Sequence, residues 1–192
     1  MLDSTTKVDQ FMVSMRDLHD NWGFNGMDWD LEHGDRPDVT GIVDASRRMR
    51  AAFGPTRIIN SAPGPDLASW VGPAGVLDTL GPDGWDAVGE QVYDQGLSQP
   101  DDQAKIVSRM TALAKKYGAT KVILGNKYRQ ESPSSPFDPS ACVALTTTAD
   151  ALKQLRAAGI NIRGSFVWTV QSDSDQSYDW ATTIGGDILS HP

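Results

Sequence analysis

The sequence predicts an α/β fold with a parallel sheet and helices outside it, on two observations. Segments with apolar residues at helical spacing alternate with short apolar runs bounded by Gly, Pro, Asn or Asp. One helix comes first and five strand–helix pairs follow, an order typical of parallel strands joined by crossover helices. An open doubly wound sheet and part of a (β/α) barrel both fit this alternation, so the motifs must decide between them.

The elements follow one another regularly along the chain. The opening helix is predicted from apolar residues at a 3.6-residue period, namely Val8, Phe11, Met12, Met15 and Leu18. After a strand at 24–32, Asp38 can cap a second helix, which ends near Gly54. We further expect strands at 57–62, 85–94, 121–126 and 161–170, and helices at 74–80, 100–117, 149–158 and 178–189. Because no repeat, low-complexity tract or linker is visible, residues 1–192 are predicted to form a single domain.

The composition is that of an acidic globular protein, with 39% hydrophobic residues, 22% charged residues and a net charge of −8. Because there is no basic cluster, we expect neither nucleic acid nor a membrane surface as a partner. No apolar run approaches the roughly 20 residues that cross a bilayer. The first ten residues lack the basic start and apolar core of a signal peptide, so none is predicted in this chain.

The metal-ligating residue types are few and scattered. Cys142 is the only cysteine, which excludes an internal disulfide and a cysteine-based zinc site. The three histidines, His19, His33 and His191, do not form a metal triad. We therefore expect neither a metal nor an organic cofactor.

The segment FNGMDWDLE at 24–32 places carboxylates at alternate positions, at Asp28, Asp30 and Glu32. Because a strand sends successive side chains to opposite faces, the three acids should share one face, which we expect to be enclosed. Mutual repulsion and partial burial can keep Glu32 protonated near neutral pH, as a general acid requires. A metal site, or an exposed strand whose acids face water, fits the same spacing.

Four motifs resemble those of family 18 glycoside hydrolases, the chitinases and their relatives. Asn25–Glu32 is similar to the family's Asp-Gly-x-Asp-x-Asp-x-Glu signature, with Asn25 in place of the first Asp. Three further motifs follow in the family's order, at Ser61–Pro65, Gln91–Asp94 and Gly164–Thr169. They resemble its Ala-Pro turn, its Gln/Met-x-Tyr-Asn/Asp motif and its Gly-x-Met-x-Trp-Ser motif, with Phe166 in place of Met.

The resemblance implies a (β/α)8 TIM-barrel type of fold, of which this chain would supply strands four to eight. The barrel is then incomplete, with five βα units preceded by a helix. Since five strands cannot close a barrel, we expect a second chain or self-association to complete it. The family resemblance also implies an extracellular location.

The resemblance further implies hydrolysis of β-1,4-linked N-acetylglucosamine polymers, such as chitin, by a retaining, substrate-assisted mechanism. Glu32 would be the general acid and base, Asp30 would orient the substrate acetamide, and Asp28 would hold Asp30. The Tyr93 hydroxyl would bind the acetamide carbonyl. The remaining residues implied to bind substrate are Gln91, Asp94 and Trp168. The alternative is a non-catalytic sugar-binding module or an inactive barrel fragment of a larger assembly.

Overall fold

The computed structural model describes residues 2–30, 38–54, 72–93, 103–127 and 142–191, and the backbone alone of 57–63 and 102. The chain divides into two compact units, Met1–Val88 and Gly89–Pro192.

The first unit alternates helices and parallel strands. Its elements are α1 (Thr5–Trp22), β1 (Gly26–Asp30), α2 (Val39–Phe53), β2 (Arg57–Pro63) and α3 (Val76–Leu80). β1 and β2 run parallel, in a register that places Asp30 beside Ser61. The apolar stripe predicted for the opening helix is confirmed, since Val8 and Met15 of α1 are buried.

The ends of α2 are those that its sequence predicts. The Asp38 carboxylate accepts a hydrogen bond from the backbone N–H of Gly41 at 3.0 Å, which satisfies one of the free donors of the first turn. At the other end, Gly54 has a φ of 74°, a conformation in which a side chain would be strained. Both predicted boundaries of this helix are confirmed.

The second unit continues the same alternation. β3 (Ala87–Gln91) begins in the first unit and ends in the second. It is followed by α4 (Asp102–Tyr117), β4 (Val122–Asn126), α5 (Leu145–Ala157), β5 (Gly164–Val167), α6 (Val170–Ser174) and α7 (Gly186–Leu189). A 3-10 turn at Ala119–Lys121 precedes β4, and a π-helical turn at Ala181–Gly185 precedes α7. β4 and β5 are parallel, and the strands follow one another in the order β1-β2-β3-β4-β5.

The predicted α/β order with a parallel sheet is confirmed, but several element boundaries differ from the prediction, most clearly in three elements. The strand predicted at 161–170 ends at Val167, because Thr169 caps α6 by accepting a hydrogen bond from the N–H of Ser172. The strand predicted at 85–94 spans only β3, since buried Trp85 donates its indole N–H to the Leu77 carbonyl instead of joining the sheet. α5 begins four residues earlier than predicted, in a Thr-rich turn of low helix propensity.

The single domain over 1–192, the missing strands and completion by a second chain stay predictions. Measurement of the sedimentation mass at increasing concentration would test the last of these. In the part of the chain that the structure describes, every helix is too short or too polar to span a membrane.

Candidate functional site

β1 separates its acidic side chains from its large aromatic one. The Trp29 ring stacks on Phe11 of α1, with ring centroids 5.3 Å apart, and its Nε1 donates a hydrogen bond to the Ser46 Oγ of α2 at 3.2 Å. Trp29 is buried, whereas Asp28 and Asp30 are exposed. Since alternate residues of a strand share a face, the packing of Trp29 against the helices directs both carboxylates to the other side.

The acidic face is more open than the sequence led us to expect. We expected the acids to be enclosed, but Asp28 and Asp30 are exposed. A sheet face becomes enclosed only when further strands curve around it, and among the described residues of the first unit β1 and β2 are the complete strands. Two of the predicted site residues, Glu32 and Asp94, lie outside the described residues.

The sheet of the second unit has one face directed at helices. The Glu90 Oε1 of β3 accepts a hydrogen bond from the Arg109 Nη1 of α4 at 2.8 Å. The Asn126 Nδ2 of β4 donates to the Thr148 Oγ1 of α5 at 2.6 Å. The residues next to Glu90 and Asn126 in these strands therefore belong to the opposite face.

Of the predicted sugar-binding residues of this unit, Gln91 and Trp168 lie among the described residues and follow the alternation of that opposite face. Gln91 ends β3 and is buried. On β4, Gly125 lies so close to the ring of Phe166 that an added Cβ would overlap the ring's Cζ. Trp168 follows the end of β5 on the same alternation as Phe166, and 45% of its surface is exposed.

Three side chains follow the carboxyl ends of β3, β4 and β5 in turn, namely Tyr93, Lys127 and Trp168. The Val92 N–H donates to the Gly125 carbonyl at 3.1 Å, which joins the chain after β3 to β4. The Trp168 N–H donates to the Asn126 carbonyl at 2.8 Å, which joins the chain after β5 to β4. Since barrel active sites sit at this end of the strands, the row is the candidate binding edge of the second unit.

Lys127 was not singled out in the sequence, and it occupies the middle of this row. Lys127 is 4% exposed and Tyr93 is 5% exposed. The Lys127 Nζ lies 6.0 Å from the centroid of the Tyr93 ring, which is the outer limit of a cation–π contact. The signal that could have found it is a lysine directly after the buried strand VILGN, in alternation with Gly125.

Glu90 is the second charged residue that sequence reasoning missed. Burial raises the pKa of the Glu90 carboxyl, and the Arg109 guanidinium opposes this rise by its charge and its hydrogen bond. The contact between Glu90 and Arg109 shows that the Glu90 face of β3 packs against α4. Gln91, the next residue in the strand, therefore lies on the opposite face. Glu90 does not itself belong to the binding edge.

No set of three or more His, Cys, Asp or Glu side chains among the described residues could hold a metal ion.

The sequence-predicted site residues fall into two groups in the described part of the chain. Asp28 and Asp30 lie on β1 of the first unit. Gln91, Tyr93 and Trp168 lie together at the strand ends of the second.

Solved structures similar to this chain are mainly chitinases. A protein assigned as chitinase A of Streptomyces coelicolor superposes with a TM-score of 0.79 at 21% identity, over 99% of this chain and 70% of that chain. The C-terminal domain of Legionella pneumophila ChiA has a TM-score of 0.70 at 19% identity, over 94% of this chain and 71% of that chain. Neither a protein-family model nor a curated protein sequence matches the chain.

A structural neighbour with a different described role shows that structural similarity establishes the fold and not the activity. XAIP-II of Scadoxus multiflorus, described as a xylanase and α-amylase inhibitor protein, has a TM-score of 0.67 at 15% identity, over 96% of this chain and 68% of that chain. Because the same architecture carries different roles, these similarities establish a chitinase-like, TIM-barrel-like fold and leave activity to the site residues.

Proposed function

We propose that the chain acts as a chitinase-type glycoside hydrolase on β-1,4-linked N-acetylglucosamine polymers, with retention at the anomeric carbon. The observation that carries the proposal is the arrangement of β1. Asp28 and Asp30 are exposed on one face, and Trp29 anchors the other face to α1 and α2. A strand that presents two acids immediately before Glu32 in the sequence fits the family-18-like signature, and the chitinase-like fold supports the same activity.

In this proposal Glu32 continues the alternation of Asp28 and Asp30 and acts as the general acid. The carbonyl oxygen of the substrate's own acetamide attacks the anomeric carbon while the glycosidic C–O bond breaks. Glu32 gives its proton to the departing oxygen, and a cyclic oxazolinium ion forms. Water, deprotonated by Glu32, then attacks the anomeric carbon and restores the acetamide, so that the configuration is retained.

Asp30 orients the acetamide and offsets the positive charge of the oxazolinium, and Asp28 holds Asp30 in place. The Tyr93 hydroxyl donates a hydrogen bond to the acetamide carbonyl, and Trp168 forms an apolar floor beneath the sugar ring. Gln91 and Asp94 line the same site. The 45% exposure of Trp168 supports its part, because an aromatic face stacks on a sugar only if it is accessible.

The test is release of a chromophore from a β-glycoside of di-N-acetylchitobiose by the full chain and its Glu32→Gln variant. Loss of the general acid should lower kcat by about 10²–10⁴-fold, because the leaving oxygen must then depart unprotonated. The control is Asp150→Asn, which removes a charge from an exposed position of α5 and should leave kcat unchanged. Equal turnover by the wild type and Glu32→Gln would exclude the assigned role of Glu32.

The alternative function is sugar binding without hydrolysis. A neighbour of the same fold is described as an inhibitor of xylanase and α-amylase, so this architecture is not restricted to proteins described as chitinases. A folded wild-type chain that binds N-acetylglucosamine oligomers in calorimetry, but releases no chromophore, would establish this alternative.

We further propose an extracellular location for either function, on the family resemblance, which detection of the native protein outside its cells would test.

A further inference from the structure

We propose that Asn25 is a site of spontaneous deamidation, and that the isoaspartyl product loosens the join between α1 and β1. The inference goes beyond the proposed function, since it concerns a covalent change that the chain undergoes by itself. The reagents are the backbone of the chain and water.

The first step is the residue that follows the asparagine. Asn25 is the only asparagine of the chain that has glycine next to it. A side chain on the following residue hinders the attack of that residue's backbone nitrogen on the asparagine side-chain carbonyl, and glycine has no side chain. The Gly26 nitrogen can therefore approach the Asn25 Cγ closely enough to close a succinimide ring.

The second step is the setting of the amide. Asn25 is exposed, and it lies in neither helix nor strand, between the end of α1 at Trp22 and the start of β1 at Gly26. Among the described residues, none holds its side chain in a hydrogen bond or an ion pair. Neither burial nor regular structure therefore restrains the amide as it turns toward the Gly26 nitrogen, and water has access to the product.

The other asparagines whose side chains the structure describes lack one or more of these conditions. Asn21 is held by a hydrogen bond inside α1, and Asn126 is buried. Asn161 is exposed outside helices and strands, as Asn25 is, but Ile162 follows it. Because the β-branched side chain of isoleucine crowds its own backbone nitrogen, Asn161 is an internal control for the glycine.

The reaction balances with water as the co-reactant. The Gly26 nitrogen forms a bond to the Asn25 Cγ, the bond between Cγ and Nδ2 breaks, and ammonia leaves with the proton of the Gly26 N–H. Water then opens the succinimide at either of its carbonyls. One opening gives aspartate on a normal backbone, and the other gives isoaspartate, in which the main chain runs through the side chain and is one carbon longer. Both products add a negative charge.

The extra carbon of the isoaspartate enters the backbone where the chain is fixed on both sides. Just before Asn25, the Phe24 N–H donates to the Leu18 carbonyl of α1 at 3.3 Å. Just after it, Gly26 pairs with Arg57 of β2. The longer backbone must therefore shift α1 relative to β1, and this shift opposes the aromatic stack that joins them.

The experiment follows each asparagine by peptide mass spectrometry, in the folded full chain and in the same chain unfolded in guanidinium chloride. Methylation by an isoaspartyl methyltransferase identifies the isoaspartyl product. The unfolded sample gives the rate that the local sequence permits. We expect Asn25 to convert in the folded chain at a rate within about tenfold of the unfolded one, because the fold adds little to the barrier, while Asn161 remains an amide.

Two variants test the chemistry of the site. Asn25→Gln keeps an amide at an exposed position and should show no conversion over the same time, because its longer side chain must close a larger ring. Gly26→Ala should slow the conversion of Asn25 by about tenfold or more, because the methyl group hinders the attacking nitrogen.

Urea denaturation tests the effect on the fold. The isoaspartyl form, isolated from the aged sample, should have a lower denaturation midpoint than the unmodified chain. Asn25→Asp is the matched control, because it carries the same added charge on a normal backbone. Its midpoint should remain that of the wild type.

The site would be excluded if Asn25 stayed an amide in the folded chain while it converted in the unfolded one. No conversion in either sample, or equal conversion of Asn25 and Asn161, would exclude it as well. Equal midpoints for the isoaspartyl form and Asn25→Asp would overturn the effect on α1 and β1. None of these measurements depends on glycoside hydrolysis.

Discussion

At the scale of single residues, Glu90 is the most unusual side chain that the structure describes. It has no exposed surface, its Oε1 is 2.8 Å from the Arg109 Nη1, and its Oε2 lacks a hydrogen-bond partner among the described residues. Burial raises the pKa of this carboxyl, and the partly exposed Arg109 offsets the effect only in part. The folded chain therefore retains a proton on Glu90 at pH values where the unfolded chain has lost it.

This difference gives the stability of the chain a defined pH dependence. When the folded state binds more protons than the unfolded state, the free energy of unfolding decreases as pH rises. The contribution of Glu90 should thus be fully present below the ordinary glutamate pKa and be lost as pH rises through the raised pKa. The decrease amounts to about 1.4 kcal/mol for each pKa unit of difference between the two states.

Urea denaturation of the wild type and of Glu90→Gln across this pH range measures the effect. The glutamine keeps an acceptor for Arg109 and does not titrate, so the stability of the wild type relative to the variant should fall with rising pH. Asp150→Asn, which removes one exposed acid of α5, is the control for the loss of a single negative charge. A difference between wild type and Glu90→Gln that stays constant, or grows with pH, would contradict the assignment.

Sequence reasoning succeeded for residues whose environment follows from local alternation. The period of two in the strand predicted that Asp28 and Asp30 would share one face, which leaves Trp29 on the other. It could not supply the environment of Glu90, because the partner Arg109 is 19 positions away and comes from another element. Lys127 was missed for the same reason, since its significance lies in its contact with Tyr93.

At the scale of secondary-structure elements, the close approach of β5 to β4 depends on a glycine. Gly125 lies against the ring of Phe166, where a Cβ would overlap the ring. Glycine inside a strand often marks such a close approach. Phe166 stands where the family motif has Met, so the missing side chain on β4 makes room for a larger one on β5.

We expect Gly125→Ala to lower the free energy of unfolding by about 1–3 kcal/mol, because the added methyl group must displace the ring of Phe166. A second substitution, Phe166→Leu, should recover part of this loss by removing the overlapping ring atoms. Urea denaturation of the single and double variants gives the coupling free energy between the two sites.

The chain offers a matched control in Gly164, another strand glycine, in β5. A Cβ added there meets no atom within 4 Å, so Gly164→Ala should not share the steric loss of Gly125→Ala. If the two alanine variants were equally stable, or if Phe166→Leu gave no recovery, the close contact between β4 and β5 would not determine the effect.

Elements were predictable where their signals are local. The cap at Asp38 and the stop at Gly54 depend on one or two residues each, and both predictions hold. The short helix α6 was not predicted, and only its first residue, Val170, was assigned to the preceding strand. Its five residues, VQSDS, carry no helical periodicity, and its cap by Thr169 depends on the backbone conformation. A helix of little more than one turn is too short to show a hydrophobic periodicity, so the sequence alone does not predict it.

At the scale of the whole molecule, the fold follows from the order of the elements, and the binding edge follows from that order as well. Parallel strands joined by helices bring all their carboxyl ends to the same edge, so residues distant in sequence are placed side by side. The resemblance of the motifs implied that Tyr93 and Trp168 would belong to one site, and in the structure both follow strand ends of the second unit. The charge in that region was not predictable, because it depends on which side chain occupies the end of β4.

The net charge of −8 gives the chain a negative long-range electrostatic field, in which Lys127 is a single local cation. Exposed charges act over a Debye length, which shrinks from about 20–30 Å at low salt to about 8 Å at physiological ionic strength. A buried cation is screened much less. An anionic oligosaccharide is therefore repelled by the chain as a whole at low salt, and this repulsion weakens as added salt screens it.

We thus expect the association rate constant of a chito-oligosaccharide that carries a carboxylate, measured by stopped flow with Glu32→Gln, to increase severalfold as salt rises from roughly 20 to 200 mM. The rate constant of its uncharged methylamide should not change over the same range. In Lys127→Met the increase should persist, because the net charge of the chain would then be −9 and its long-range field would remain negative. A rate constant that falls with salt would mean that local positive charge dominates the field which the oligosaccharide meets on approach, and that the acidic composition of the chain does not govern its encounter with ligand.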